Sequence, residues 1–175
     1  RDFPHADETA HALVYTHIMA ENIWGKTIRS AAPSIVTIVI SKNAKAVKAD
    51  LSAEMMSMPP EARQQQAPDI PPDAIDAHGM VKIGSGSGFV ADPSGIILTN
   101  KHVIADHTAT YEIVTNDDVR HLAEVVARDP IDDIAILRIQ GAALPALPLG
   151  DSDTIELGQP VLAIGNALGI FKNTV

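Results

Sequence analysis

The sequence predicts an all-β fold, a barrel or sandwich of short strands, and two observations carry that expectation. Apolar residues make up 46% of the 175 residues while aromatics make up only 3%. The core is therefore built from Ile, Val, Leu and Ala, a β-branched bias that suits pleated, half-buried surfaces. From Met80 onward, short apolar stretches alternate with turn residues about every ten positions, the rhythm of an antiparallel all-β domain.

Each element follows in chain order. Residues 7–28 place Ala10, Leu13, Val14, His17, Ile18, Trp24 and Ile28 at spacings of three and four, with gaps. With Asp7 or Thr9 as a cap and Gly25 interrupting the end, this reads as an amphipathic helix. Pro33 punctuates, and "SIVTIVI" (34–40) reads as a strand. Residues 42–80 hold five of the twelve prolines, a "QQQ" run and Met55, Met56 and Met58. Here "DLSAEMMS" predicts one or two helical turns inside a long loop, and loops of that length are usually functional or disordered. Beyond it come "SGFVAD", the turn "PSG", "IILTN", "ATYEIVT", the turn "NDD", "HLAEVVARD", "DIAILRI", a Pro- and Gly-containing loop, and "PVLAIGN". No internal repeat has a fixed period.

Composition excludes several function classes. A formal charge of −9 argues against nucleic acid as the main partner, because phosphate binding needs clustered Lys and Arg. With no cysteine there is no disulfide, thiolate metal site or Cys nucleophile. No run of 18 apolar residues is present, so the sequence contains no helical membrane span. The first residue is Arg1, which suggests a mature or excised piece whose targeting segment has been removed.

The residues that point to chemistry are His102 and Asp133. His102 stands in "GIILTNKHVIADH", just past an apolar strand, on a loop at the mouth of a rigid element. In "DPIDDIAILRI", Asp132 and Asp133 precede the most apolar strand. A carboxylate beside the core seeks a hydrogen-bonded partner. An imidazole N–H is a suitable one: the carboxylate fixes the tautomer and stabilises the imidazolium, as a general base requires. Asp132 reads as a solvated turn residue. A histidine satisfied by backbone groups and ordinary turn chemistry for both aspartates remain alternatives on these residues alone.

"GSGSGFVADPSGIILTNKHVIAD", "DPIDDIAILRI", "LGDSDTIELGQPVLAIGNALG" and "KNTV", in this order, resemble the HtrA (DegP/DegS-like) family of trypsin-type serine proteases. The similarity covers residues 84–175, and "APSIVTIVI" (32–40) fits the family's first strand. The resemblance implies the N-terminal β-barrel of a trypsin-like two-barrel protease, with an N-terminal helix and a long inserted loop, the second barrel being largely missing. It implies three segments: a helical segment 1–31, the first barrel 32–159 with inserted loop 42–80, and the start of the second barrel at 160–175. His102 resembles the family's catalytic histidine and Asp133 its catalytic aspartate, in the His-Asp-Ser chain order of trypsin-type enzymes. The sequence departs from the family at Lys101, where Asn or His is common, and at Ala167, where the "GNPLG"-like turn has proline. No PDZ domain is present in these residues.

A nucleophile is harder to find. No "GNSGGP"-like stretch occurs. Ser152 in "GDSD" is followed by Asp153, whose charge would repel an oxyanion and whose side chain would crowd the turn. Ser85 and Ser87 in "GSGSG" match G-x-S-x-G in neither register, and the stretch reads as a flexible lead into a closely packed strand. The expectation is a fragment of a longer endopeptidase, inactive alone, whose serine and most of whose oxyanion hole lie beyond Val175. The competing expectations are a non-catalytic binding or regulatory module, and a serine supplied by another chain.

By the same resemblance the substrates are unfolded or misfolded proteins of the bacterial cell envelope or periplasm, the assembly is a homo-trimer or higher oligomer, and no cofactor is implied. His5, His11 and His17, six apart, do not share a helical face and do not suggest a metal site. His17 reads as a packing residue, and His107 and His121 as solvated strand-end groups. The methionine cluster suits either a soft partner contact or a local gap. The inserted loop 42–80 occupies the place of a family regulatory element, which implies an oligomer-contact or gating role.

Overall fold

A computed structural model describes residues 24–59, 69–141, 143–167 and 171–174, with Ala167 and 171–174 as backbone only. Residues 24–31 are helical (α1), and the helix runs through Gly25 rather than ending there. The greater part of the amphipathic helix expected over 7–28 lies outside the described residues. A short 3-10 turn at Ala32–Ser34, with Pro33 inside it, delivers the chain to β1 (Ile35–Asn43).

Then comes α2 (Ala44–Ser57), 14 residues long, more than the one or two turns expected. Asn43 caps it by accepting the Lys45 N–H at 3.0 Å, a sequence-local device. No residue of α2 is fully buried; Ala44, Val47, Leu51 and Met55, spaced three and four apart, are half-buried, so its apolar stripe is narrow and shallow. The chain continues through β2 (Met80–Asp92), β3 (Ile96–Thr99), β4 (Thr110–Val114), β5 (Arg120–Arg128) and β6 (Ala135–Arg138). β7 (Gly165–Ala167) and β8 (Phe171–Thr174) follow. β2 begins well before "SGFVAD", so "GSGSG" is strand interior and not a flexible lead. Of "PVLAIGN", only Gly165 and Asn166 are in a strand.

The first six strands form a closed barrel in the order β1-β2-β3-β6-β5-β4, and β7 pairs with β8 alone. This is the all-β, N-terminal trypsin-like barrel that the sequence implied. All the barrel pairings are antiparallel. Period-two alternation fills the interior: Ile38 faces Ile113 across β1–β4. Val90 pairs with Ile97, and Ile97 with Leu137. Ile38, Ile97, Ile113 and Leu137 have no exposed surface. An irregularity between Val125 and Ala127 lets β5 bend around this core. The turn into β3 depends on Gly95, whose φ is +95° and where a Cβ would lie 2.4 Å from the Ile139 carbonyl oxygen.

Charge contacts pin the outside. Lys42, 9% exposed, bonds Asp106 at 2.8 Å and Asp50 at 2.5 Å. The Lys42 bond, followed by those from Thr108, pulls the Asp106 carboxyl well below the usual range. Hydrogen bonds likewise lower Asp76, Asp117 and Asp129. A depressed folded-state pKa means that the unfolded chain binds more protons in acid. The stabilisation is therefore present above about pH 4 and is lost as pH falls below it. Denaturant midpoints between pH 7 and pH 3 should fall, and Asp106→Asn should flatten that fall. An equal slope in the variant would exclude Asp106 as a contributor.

Candidate active site

The site is built at one end of β3. Thr99 closes the strand with its hydroxyl on the Ser87 carbonyl at 2.8 Å. Residues Lys101–Ile104 then make a 3-10 turn carrying His102. Ile104 sinks into the core with no exposed surface. Its carbonyl accepts both the Nε–H of Arg128 at 3.0 Å and an Nη2–H at 2.9 Å. Val103 packs on Gly86 of β2, where a Cβ would lie 2.4 Å from Val103 Cγ1. A side chain at Gly86 would thus occupy the space that seats the residue beside His102.

The partner carboxylate comes from the turn before β6. Asp129 organises that turn: its Oδ1 accepts the N–H groups of Ile131 and Asp132, each at 2.8 Å. Its own N–H donates to the Ile134 carbonyl at 2.9 Å. Asp132 is exposed, as expected of a turn residue. Asp133 is thereby aimed at the histidine turn. Its Oδ1 accepts the His102 backbone N–H at 2.9 Å, and its Oδ2 lies 2.6 Å from His102 Nδ1. The Asp133 carbonyl accepts from Asn100 Nδ2 at 3.1 Å and from the Lys101 N–H at 3.3 Å. Lys101 Nζ reaches the Asp129 carbonyl at 2.7 Å.

The two candidates, 31 residues apart, are therefore in direct contact. The bonds from the His102 backbone and then from its ring hold Asp133 below the ordinary carboxylate range. An ionised carboxylate only accepts, so Nδ1 carries a proton, and in the neutral tautomer this leaves the lone pair on Nε2. The ring is 72% exposed and Asp133 48%. Burial at the core edge, the reason first advanced for Asp133, is thus not what selects its partner. The turn set by Asp129 does so. Asn100, Lys101, Asp129, Arg128 and Gly86 are supports that sequence reasoning did not single out. Only Asp129, in an Asp-Pro turn, carried a local signal.

A cleft of about 360 Å³ adjoins Asp133, lined also by Leu98, Asn100 and Ile164 among others. On its rim, Ser87 Oγ accepts the Asn166 N–H at 2.8 Å, and Asn166 Nδ2 donates to Thr37 Oγ1 at 2.9 Å. These bonds lay β7 across β1 and β2. Ser87 is thus a structural acceptor. Ser152 is exposed in a 3-10 turn organised by Asp151, whose Oδ1 accepts the Asp153 N–H at 3.0 Å. His107 lies exposed in a turn, whereas His121 is half-buried in β5; His5, His11 and His17 lie outside the described residues. Among the described residues no cluster of three or more His or acidic groups is suited to a metal. No described helix is long and apolar enough to cross a membrane.

Comparison with known proteins shows what the chain is similar to. Residues 86–175 match the family model of the trypsin-like peptidase domain. The chain is 31% identical over 179 residues to the "Probable periplasmic serine endoprotease DegP-like" of Ectopseudomonas mendocina (strain ymp), covering 90% of this chain and 37% of that one. It is 36% identical over 157 residues to the protein of the same description from Pseudomonas fulva (strain 12-X), covering 85% and 32%. Among solved structures, an HtrA-type protease, AlgW, with a tripeptide superimposes with a TM-score of 0.54 at 26% identity. That match covers 82% of this chain and 35% of the other. The chain spans about a third of the length of these relatives.

Proposed function

Because the chain belongs to the trypsin-like peptidase family, as an HtrA-type member, we propose that it carries the general-base half of a serine endopeptidase site. His102 is the base and Asp133 its orienting acid. The observation behind this reading is the double contact of one carboxylate with the backbone N–H and Nδ1 of one histidine. It leaves Nε2 on an exposed ring as the acceptor for a serine hydroxyl proton.

In this reading Nε2 takes the proton from serine Oγ as that oxygen attacks the scissile carbonyl. The resulting imidazolium is stabilised by Asp133 and returns the proton to the leaving amine. The serine and its oxyanion-stabilising N–H groups come from outside these 175 residues, from the same polypeptide or another. The same reading divides the chain into a helical segment 1–31, the first barrel 32–159 with inserted loop 42–80, and the start of a second barrel at 160–175. The names of the relatives support a periplasmic or envelope setting. Unfolded or misfolded proteins as substrates, and a trimer-based assembly, are the family expectations that go with it.

The 175-residue chain alone should give no turnover of casein or of a peptide substrate. Joined to, or mixed with, a lobe that carries a G-x-S-G-G serine, it should hydrolyse both, and His102→Ala should abolish that hydrolysis. Turnover by the chain alone that disappears with His102→Ala would overturn the assignment of the serine to an outside segment. A completed site that stays inert would favour a non-catalytic module instead.

A further inference from the structure

The supports of His102 described so far belong to the barrel, but one reaches outside it. Lys42, near the end of β1, places its ammonium between Asp106 of the segment that follows the histidine turn and Asp50 of α2. Asp106 is itself fully engaged. Its Oδ1 accepts the N–H and hydroxyl of Thr108, each at 2.7 Å, and its carbonyl accepts the Tyr111 hydroxyl at 2.6 Å. The segment from His102 to Asp106 is thus gripped at Ile104 by Arg128 and at Asp106 by Lys42.

α2 packs against β1 and β2 with Val47, Leu51 and Met55 half-buried and no residue fully buried. Polar ties add to this shallow contact: the Asn43 cap, the Ala44 N–H on the Gly79 carbonyl at 2.9 Å, Asp50 on Lys42, and Lys48 Nζ on Asp69 at 2.8 Å. Elements held this way open at low free energy. While α2 is docked, Lys42 is nearly buried and its bond to Asp106 is shielded from water. With α2 displaced, the pair is hydrated and screened, and such pairs hold little.

We infer that Lys42 is a positioning residue that makes the insertion helix part of the support of His102: docking of α2 tightens residues 101–106 on Asp133, and its displacement relaxes them. The meaning of this for catalysis rests on the proposed function. The coupling itself is a property of the folded chain and is read without substrate. It assigns to the insertion an effect inside its own subunit.

Amide hydrogen exchange and proton NMR of the 175-residue chain test it. Lys42→Met should speed exchange at Lys101, His102 and Val103 about tenfold, the size of losing one charge-assisted hydrogen bond. The amides of Ile97 and Leu137, in core strands, should speed much less, by no more than the loss of global stability read from denaturant midpoints. The downfield Nδ1 proton signal of His102 should broaden in the same variant and return in Lys42→Arg. Asp50→Asn, at an exposed helix position that leaves the Lys42–Asp106 pair in place, should act in the same direction but less strongly. It carries the test if Lys42→Met does not fold. Unchanged exchange at 101–103, a uniform rise across all barrel amides, or tightening of the turn by Asp50→Asn would each overturn the inference. Selective loosening together with an inert completed site would leave the coupling standing and remove only the peptidase reading.

Discussion

Asp133→Asn, in a polypeptide with a completing serine, should leave the barrel folded and lower kcat for peptide hydrolysis by about 10⁴-fold, the cost of the wrong histidine tautomer. The amide oxygen can still accept the His102 backbone N–H, now made by Oδ1 at 2.9 Å. The amide nitrogen would face Nδ1, now 2.6 Å from Oδ2, and can only donate. Nδ1 must then accept, the proton moves to Nε2, and the serine loses its base. Unfolding midpoints should fall only slightly, because the carboxylate is half-exposed and the turn is held by Asp129. A variant within tenfold of the parent rate would show that the carboxylate does not set the tautomer.

Gly86→Ala should be the more damaging substitution for the fold around the site. The added methyl would lie 2.4 and 2.8 Å from the two Val103 methyl carbons, and neither can swing away without moving the backbone that bears His102. Overpacking of this kind costs about 1–3 kcal/mol. Thermal unfolding should register that loss, and the His102 amide should lose protection because its bond to Asp133 depends on where Val103 sits. Gly86→Ala combined with Val103→Ala restores the space, so the double variant should recover most of both. If the single variant unfolds like the parent, Val103 is not the contact that requires glycine.

The two predictions differ in how far they were legible from the sequence. His102 and Asp133 could be singled out because their residue types, their places at strand ends and their neighbours match one family pattern. The strands were legible for a simpler reason: Ile, Val and Leu at every second position have one dry side to go to. Gly86 lay in a stretch read as a flexible lead and was not singled out, because the neighbour it admits, Val103, is fixed only by the pairing of β2 with β3. Helix α2 was underestimated because its apolar positions, Val47, Leu51 and Met55, are few and only half-buried. Its anchor is a lysine before the helix, and that lysine's other carboxylate stands 64 residues away. Sequence periodicity registers burial. It does not register which charges meet after the chain has closed on itself.

Closure of the six-strand ring also limits how the molecule can associate. Every barrel strand has a neighbour on each side, but not along its whole length: β2 pairs with β3 only over residues 88–92, so residues 82–86 have β1 on one side and no strand on the other. Where both sides are paired, contacts with the barrel are made through side chains, and their selectivity is written residue by residue. Among the described residues, that stretch of β2 and the two-stranded β7–β8 ribbon are where strand addition remains open.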